Sequence, residues 1–323
     1  MLWRCYNSDS PVRPHSPDTI APMSRVALYF ASGESLYLGA ALLLLVVVAP
    51  IFLKYTWVSR VRNVLAWVAL AFMVMACPPF ALVVDVIFLA VFVLWFVTSN
   101  QSSASQTSMR LQRSLTLVLT ILLLVLPAIE FSHRRMPRIT GIVSDHVVVI
   151  GDSISSGLDP HHQAWPLVLQ QTCGVEVRNL ARPGAQVSEG LLMASGLTDG
   201  DHLVLIEIGG NDLLMGVSSD EYGKALDALL SKVAAPNRTV LMFELPLLPN
   251  KIAYGRIQRR LSAKYRVSLI PKRYFAQVIG DANATTDGLH LSASGAHRMA
   301  ALVAQVLSPL LKSCQSLSNL AGD

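Results

Sequence analysis

The chain has 323 residues, 52% of them hydrophobic and 15% charged, with a mean hydropathy of +0.47; it is too apolar for an ordinary soluble domain and too polar for a bundle lying wholly in lipid. The net charge of +5 is unevenly divided: residues 1–138 carry 11 Lys and Arg against 5 Asp and Glu, whereas residues 139–323 carry 15 against 16. Positive charge that flanks apolar runs is what membrane orientation requires, and this distribution excludes a basic nucleic-acid-binding face.

Residues 1–35 read as a polar, proline-containing tail expected to be disordered. A transmembrane region over 36–131 follows. "LYLGAALLLLVVVAPIFL" at 36–53 carries no charge and is long enough to span a bilayer. It exceeds the apolar core of a signal peptide, and no small-x-small cleavage site follows it. From Val64 to Val97 the chain is apolar apart from Asp85. That length suits two spans, 64–78 and 80–97, broken at Pro78-Pro79. A fourth span covers 114–131, and a three-span arrangement is the alternative. Lys54, Arg60, Arg62, Arg110 and Arg113 then flank one side of the membrane and Arg25, Arg134, Arg135 and Arg138 the other. Five against four places the short loops in the cytoplasm of a bacterial inner membrane and the C-terminal domain outside. Asp85 has no second intramembrane charge to partner it, so it is expected protonated or hydrogen-bonded between packed helices.

A basic linker, 132–144, opens with "SHRRMPRIT". Beyond it, apolar β-rich runs at 146–150, 175–179, 203–208, 239–244 and 267–270 alternate with helical runs near 164–172, 188–196, 219–234, 251–265 and 294–312. Uniformly apolar strands alternating with helices predict one α/β domain, 145–312, with a parallel sheet covered on both faces. Ligands of such sheets bind at the carboxyl ends of the strands. Residues 313–323 form a C-terminal tail. Cys5, Cys77, Cys173 and Cys314 have no metal-ligand spacing, so no metal site is expected. Cys173 and Cys314 read as unrelated buried thiols, with pairing as the alternative in an oxidising compartment. His161 and His162 read as solvent-exposed. "YGRIQRRLSAKYR" at 254–266 reads as a helix with a solvated basic face, contact with anionic lipid being the alternative.

The first strand runs into "VVVIGDSISSG", 147–157, without the G-x-S-x-G of the usual nucleophile elbow. Taken alone, Gly151-Asp152-Ser153 reads as a turn and helix cap. Gly209-Gly210-Asn211-Asp212 and Asp287-Gly288-Leu289-His290 likewise read as turns. In this order, with Gly184 in "LARPGAQV" between them, the blocks resemble the SGNH, or GDSL, hydrolase family. Trp165-Pro166 fits the same pattern, and Ile154 stands where that family often has Leu. The resemblance covers roughly 145–312. It implies a three-layer α/β/α domain with a five-stranded parallel flavodoxin-like sheet.

A serine hydroxyl is a feeble nucleophile until an adjacent base takes its proton. Ser153 is therefore the candidate nucleophile, His290 the base and Asp287 the group that fixes the imidazole tautomer. The resemblance implies an oxyanion hole made by the backbone N–H groups of Ser153 and Gly184 and the side-chain amide of Asn211. Asp152 and Asp212 are expected as loop and cap residues. No cofactor is called for. The expected activity is that of a membrane-anchored serine ester hydrolase acting through an acyl-serine. Its substrate would be a small-molecule, lipid or glycan acyl ester, and its non-substrate partner the membrane bilayer rather than nucleic acid. An O-acyltransferase or de-O-acetylase of an envelope glycan, or an inactive membrane binding module, are the alternatives.

Overall fold

A computed structural model describes residues 25–52, 59–101, 105–157, 163–247, 249–281 and 283–311. Its first part is helical: α1 (Arg25–Ala31), α2 (Ser35–Phe52), α3 (Ser59–Met75), α4 (Leu82–Ser99) and α5 (Gln106–Ser132). The four longer helices overlap the segments 36–53, 64–78, 80–97 and 114–131, α3 and α5 starting earlier, at Ser59 and Gln106. The break between α3 and α4 falls at Pro78-Pro79, where neither residue can donate a backbone N–H. Leu43, Ala69, Phe92 and Leu119, one from each helix, are buried in a common apolar core. The outer surface is apolar too, with Leu45, Val64, Val86, Leu94, Leu117 and Leu124 exposed. Among the described residues, two helices are long and apolar enough to cross a membrane, Leu82–Ser99 and Gln106–Ser132, and Ser35–Pro50 is a shorter apolar one.

The second part alternates strands and helices in the order β1 (His146–Gly151), α6 (Ser153–Ser156), α7 (Trp165–Cys173), β2 (Glu176–Asn179), α8 (Val187–Ala194), β3 (Leu203–Glu207), α9 (Gly210–Leu214) and α10 (Ser219–Val233). It continues with β4 (Thr239–Phe243), α11 (Ile252–Tyr265), β5 (Ser268–Ile270), α12 (Lys272–Ile279) and α13 (Ala293–Leu307). The sheet order is β2-β1-β3-β4-β5, all parallel, as the flavodoxin-like expectation required. Successive side chains on a strand point to opposite faces. Val147, Val149, Leu203, Leu205 and Leu241 pack with residues of α7, α12 and α13. Val148, Ile150, Val204, Ile206 and Met242 pack with residues of α8, α10 and α11. Burial on both faces is why these strands read as unbroken apolar runs. From β1 the chain goes first to β2 on one side and then to β3 on the other. The crevice at this reversal lies beyond the carboxyl ends of β1 and β3.

Several expectations need correction. Residues 25–31, assigned to the polar tail, form α1, whose Leu28 is buried and reaches Gly280 at the end of α12. The short α12 was not expected at all. Asp85 does have a charged partner, Arg256 of α11, which also donates to the carbonyl of Phe80 at 2.6 Å. The basic face of α11 is thus only partly solvated: Arg256 and Arg259 turn to the helix bundle, whereas Arg260, Lys264 and Arg266 are exposed. Its Arg259 makes a bidentate pair with Glu130 of α5, both contacts 2.7 Å, and a third contact of 2.7 Å to Glu244. Cys173 is disulfide-bonded rather than an isolated thiol, whereas Cys77 is free and buried. The N-terminal 24 residues, Lys54, His161, His162 and Cys314 lie outside the described residues.

Candidate active site

The site begins where β1 stops. A Cβ on Gly151 would lie 2.7 Å from the Ser155 side chain and 2.9 Å from the Glu207 carbonyl oxygen, so only glycine lets β1 run so close to β3 before turning. Asp152 then caps α6, its Oδ1 accepting from the Ile154 N–H at 3.0 Å. Ser153 is the first residue of α6 and is 8% exposed.

The loop before α13 brings the other groups to it. His290 Nε2 lies 3.1 Å from Ser153 Oγ, and His290 Nδ1 lies 2.5 Å from Asp287 Oδ2. Asp287 Oδ1 also accepts the backbone N–H groups of Leu289 at 2.9 Å and His290 at 2.8 Å. Desolvation would raise the Asp287 pKa, but hydrogen bonds from the His290 ring and these two amides outweigh it and bring the carboxyl down to about 2. A carboxylate held ionised against Nδ1 fixes the proton there, which leaves Nε2 free to accept one from the serine. Asp287 and His290 sit three residues apart, so one short loop presents both. Ser153, Ile154, Trp165, Asp287, His290 and Leu291 line a cleft of about 210 Å³.

Of the remaining predicted residues, Asn211 reaches the turn that carries the serine. Asn211, the second residue of α9, donates from Nδ2 to the Ala185 carbonyl at 3.0 Å and to Asp152 Oδ2 at 3.3 Å. It therefore bridges the serine turn and the loop that carries Gly184. Gly184 has φ +74° and open space where a side chain would stand, so backbone conformation rather than crowding selects glycine there. Asp212 Oδ2 accepts the Val187 N–H at 3.0 Å and so ties α9 to the start of α8. Asp152 and Asp212 both act as caps or loop ties, as expected.

Sequence reasoning missed a buried polar chain beneath the serine. Trp165 Nε1 donates to Ser155 Oγ at 3.1 Å, and Ser155 Oγ donates to Glu207 Oε2 at 2.7 Å. Glu207 and Asp152 are both buried and interact directly. Burial first, and then Asp152, pushes the Glu207 carboxyl well above its usual range. Burial likewise raises Asp152 to about 6. Two adjacent buried carboxyls are compatible only if they share a proton. The available signal was Glu207 itself, a carboxylate at the end of the apolar run "LVLIE", where an acid is costly to bury unpartnered.

A family model described as GDSL-like Lipase/Acylhydrolase matches residues 149–298. The chain is 30% identical over 181 residues to Esterase TesA of Pseudomonas aeruginosa, covering 51% of this chain and 89% of that protein. It is 29% identical over 181 residues to an arylesterase of Vibrio mimicus (51% and 88% covered). It is 26% identical over 178 residues to thioesterase 1/protease 1/lysophospholipase L1 of Escherichia coli K12 (52% and 86% covered). Among solved structures, TesA aligns with a TM-score of 0.46 at 29% identity, over 51% of this chain and 99% of that one.

Proposed function

The chain belongs to the GDSL-like lipase/acylhydrolase family and is a carboxylic ester hydrolase, and we propose that it works as a membrane-anchored serine esterase in which Ser153 carries the acyl group. The observation behind this reading is the continuous contact from Ser153 Oγ through His290 to Asp287. Ser153 Oγ attacks the ester carbonyl while His290 Nε2 takes its proton. The backbone N–H groups of Ser153 and Gly184 and the Asn211 amide receive the charge that develops on the carbonyl oxygen. Asn211 already donates to Asp152 and Ala185; the longer bond, to Asp152, is the one an oxyanion displaces. His290 then returns the proton to the leaving alcohol, and the acyl-serine is hydrolysed by a water that the same histidine activates.

The anchor in this reading is α2–α5, a bundle apolar on its inner and outer surfaces, which is the pattern of helices surrounded by lipid. Its length and composition support a membrane assignment. The disulfide at Cys173 supports an oxidising, extracytoplasmic position for the α/β domain.

The test is hydrolysis of a short p-nitrophenyl ester by the full chain in detergent micelles. Ser153→Ala should lower kcat by roughly a thousandfold or more, with an unchanged circular-dichroism spectrum. It should also abolish labelling by a fluorophosphonate probe. Wild-type rates in that variant would sink the assignment of the nucleophile.

A further inference from the structure

The carboxyl ends of the strands, where the site lies, are not all open to solvent. Beyond β4, Glu244 binds Arg259, which in turn grips Glu130 near the end of α5. Beyond β5, Lys272 Nζ donates to the carbonyls of Ala76 at 3.2 Å and Cys77 at 3.4 Å, in the turn between α3 and α4. Arg256 of α11 holds Phe80 and Asp85 in the same region. The β4–β5 side of this edge therefore rests on one end of the helix bundle. The strands are parallel, so β1 and β3, which lead to Ser153 and Asn211, point the same way. β1 stands two places from β4, roughly 10 Å away at about 4.8 Å per strand. A twist of about 20–25° per strand tilts its direction without reversing it.

The two edges of the sheet differ in chemistry. The amino ends, pointing away from the bundle, carry His146, Asp201 and His202, with His146 paired to Asp201. On the carboxyl side, α9 continues past Asn211 into Leu214 and Met215, 63% and 74% exposed. Tyr254 of α11 donates its hydroxyl to the Val217 carbonyl, so this apolar corner is fastened to the helix that meets the bundle.

Resting on the serine-esterase and membrane-anchor reading above, we propose that the catalytic cleft faces the bilayer holding α2–α5. Its substrate is then an ester carried by a lipid of that same leaflet, and Leu214 and Met215 enter the interface beside it. Asp85 lies within the first turn of α4 and pairs with Arg256, so the α/β domain sits flush on the membrane surface. A lipid ester carbonyl lies at that level. In the reaction the lipid acyl–oxygen bond breaks, the acyl group passes to Ser153 Oγ, and the proton held by His290 goes to the lipid alcohol. Water then releases the fatty acid.

The full chain reconstituted into phosphatidylcholine vesicles tests this, using a long-chain phospholipid with a fluorogenic acyl ester. The lipid is supplied either in the protein's own bilayer or in separate protein-free vesicles. Confinement to one surface should make hydrolysis in the same bilayer roughly tenfold faster or more. The L214S/M215S variant should lower the ratio of lipid-ester to soluble-ester turnover by about fivefold or more. Equal rates from both vesicle populations, or an unchanged ratio in the variant, would overturn the proposal, as would a bilayer ester left intact while a soluble ester is cleaved through Ser153. A wild-type chain that cleaves no soluble ester through Ser153 instead fails the catalytic reading on which the proposal rests.

Discussion

Gly151 and Glu207 stand opposite each other in the β1–β3 register, and much of the site follows from that one pairing. It sets Asp152 beside a buried carboxyl, Ser155 above it, and Asn211 one short turn beyond β3. Removing the Asn211 amide with Asn211→Ala should cost about 3 kcal/mol of transition-state stabilisation, roughly a hundredfold in kcat, with a much smaller change in KM; steady-state kinetics on a soluble ester measures both. Asp152 and Glu207 lead to a pH prediction. Both carboxyls are raised in the folded protein, so the native state holds their protons more tightly than the unfolded chain. Their contribution is therefore fully favourable below the ordinary carboxylate range, and stability is lost as pH rises through about 6. Glu207→Gln keeps an acceptor for Ser155 and a donor for Asp152 while removing one of the two titratable groups. Thermal melts from about pH 4.5 to about pH 7.5 should show a shallower decline in Tm for this variant than for the parent. Equal slopes would mean that the buried pair does not titrate in that range.

At the scale of elements, the strands and the four chemical blocks were legible because each is a local pattern: an apolar run, then a short polar motif. The contacts between the helix bundle and the α/β domain were not. Asp85 and Arg256 are 171 positions apart, and nothing near either residue indicates the other. α11 displays its arginines as a solvated amphipathic helix would, and only the position of Asp85 and Glu130 draws Arg256 and Arg259 inward while Arg260 stays exposed. Lys272 and Arg273 open α12 with charges, and β5 before it is only three residues long, so the helix is hidden from pattern reading. Glu207 stands out in the sequence only as an acid closing an apolar run, because its role depends on the pairing of β3 with β1. The Glu130–Arg259–Glu244 cluster is almost wholly buried. Arg259→Met would leave two carboxylates without their cation, and loss of one partner from a buried pair costs about 3–5 kcal/mol. A marked fall in the thermal unfolding temperature in detergent is expected. A Tm within error of the parent would show that the cluster contributes nothing to docking.

For the molecule as a whole, the proposed outward position of the α/β domain rests on a count of flanking cations of five against four and on the state of Cys173. Arg134 pairs with Glu34, and Arg256 and Arg259 pair with Asp85, Glu130 and Glu244, all at the end of the bundle that carries the α/β domain. At the opposite end, Arg60, Arg62, Arg110 and Arg113 have no carboxylate partner among the described residues; Arg62 instead donates to the Ser99 carbonyl and Asn100. At the domain end Arg135 and Arg138 also have no carboxylate partner among the described residues, and acidic neighbours weigh little in the positive-inside rule, so the short loops keep only their narrow excess of cations. The Cys173 disulfide favours the outward position independently, because reducing cytoplasm opposes such bonds. A phosphatase that folds only in an oxidising compartment should therefore be active when fused after Leu311 and inactive when inserted between Asn100 and Ser105. A fluorescent protein that matures only in the cytoplasm should give the opposite result at the same two positions. The reverse pattern at both would place the domain inside the cell. It would require the larger set of flanking cations to face outward and the disulfide to persist against the cytoplasmic thiol pool, two separate physical costs.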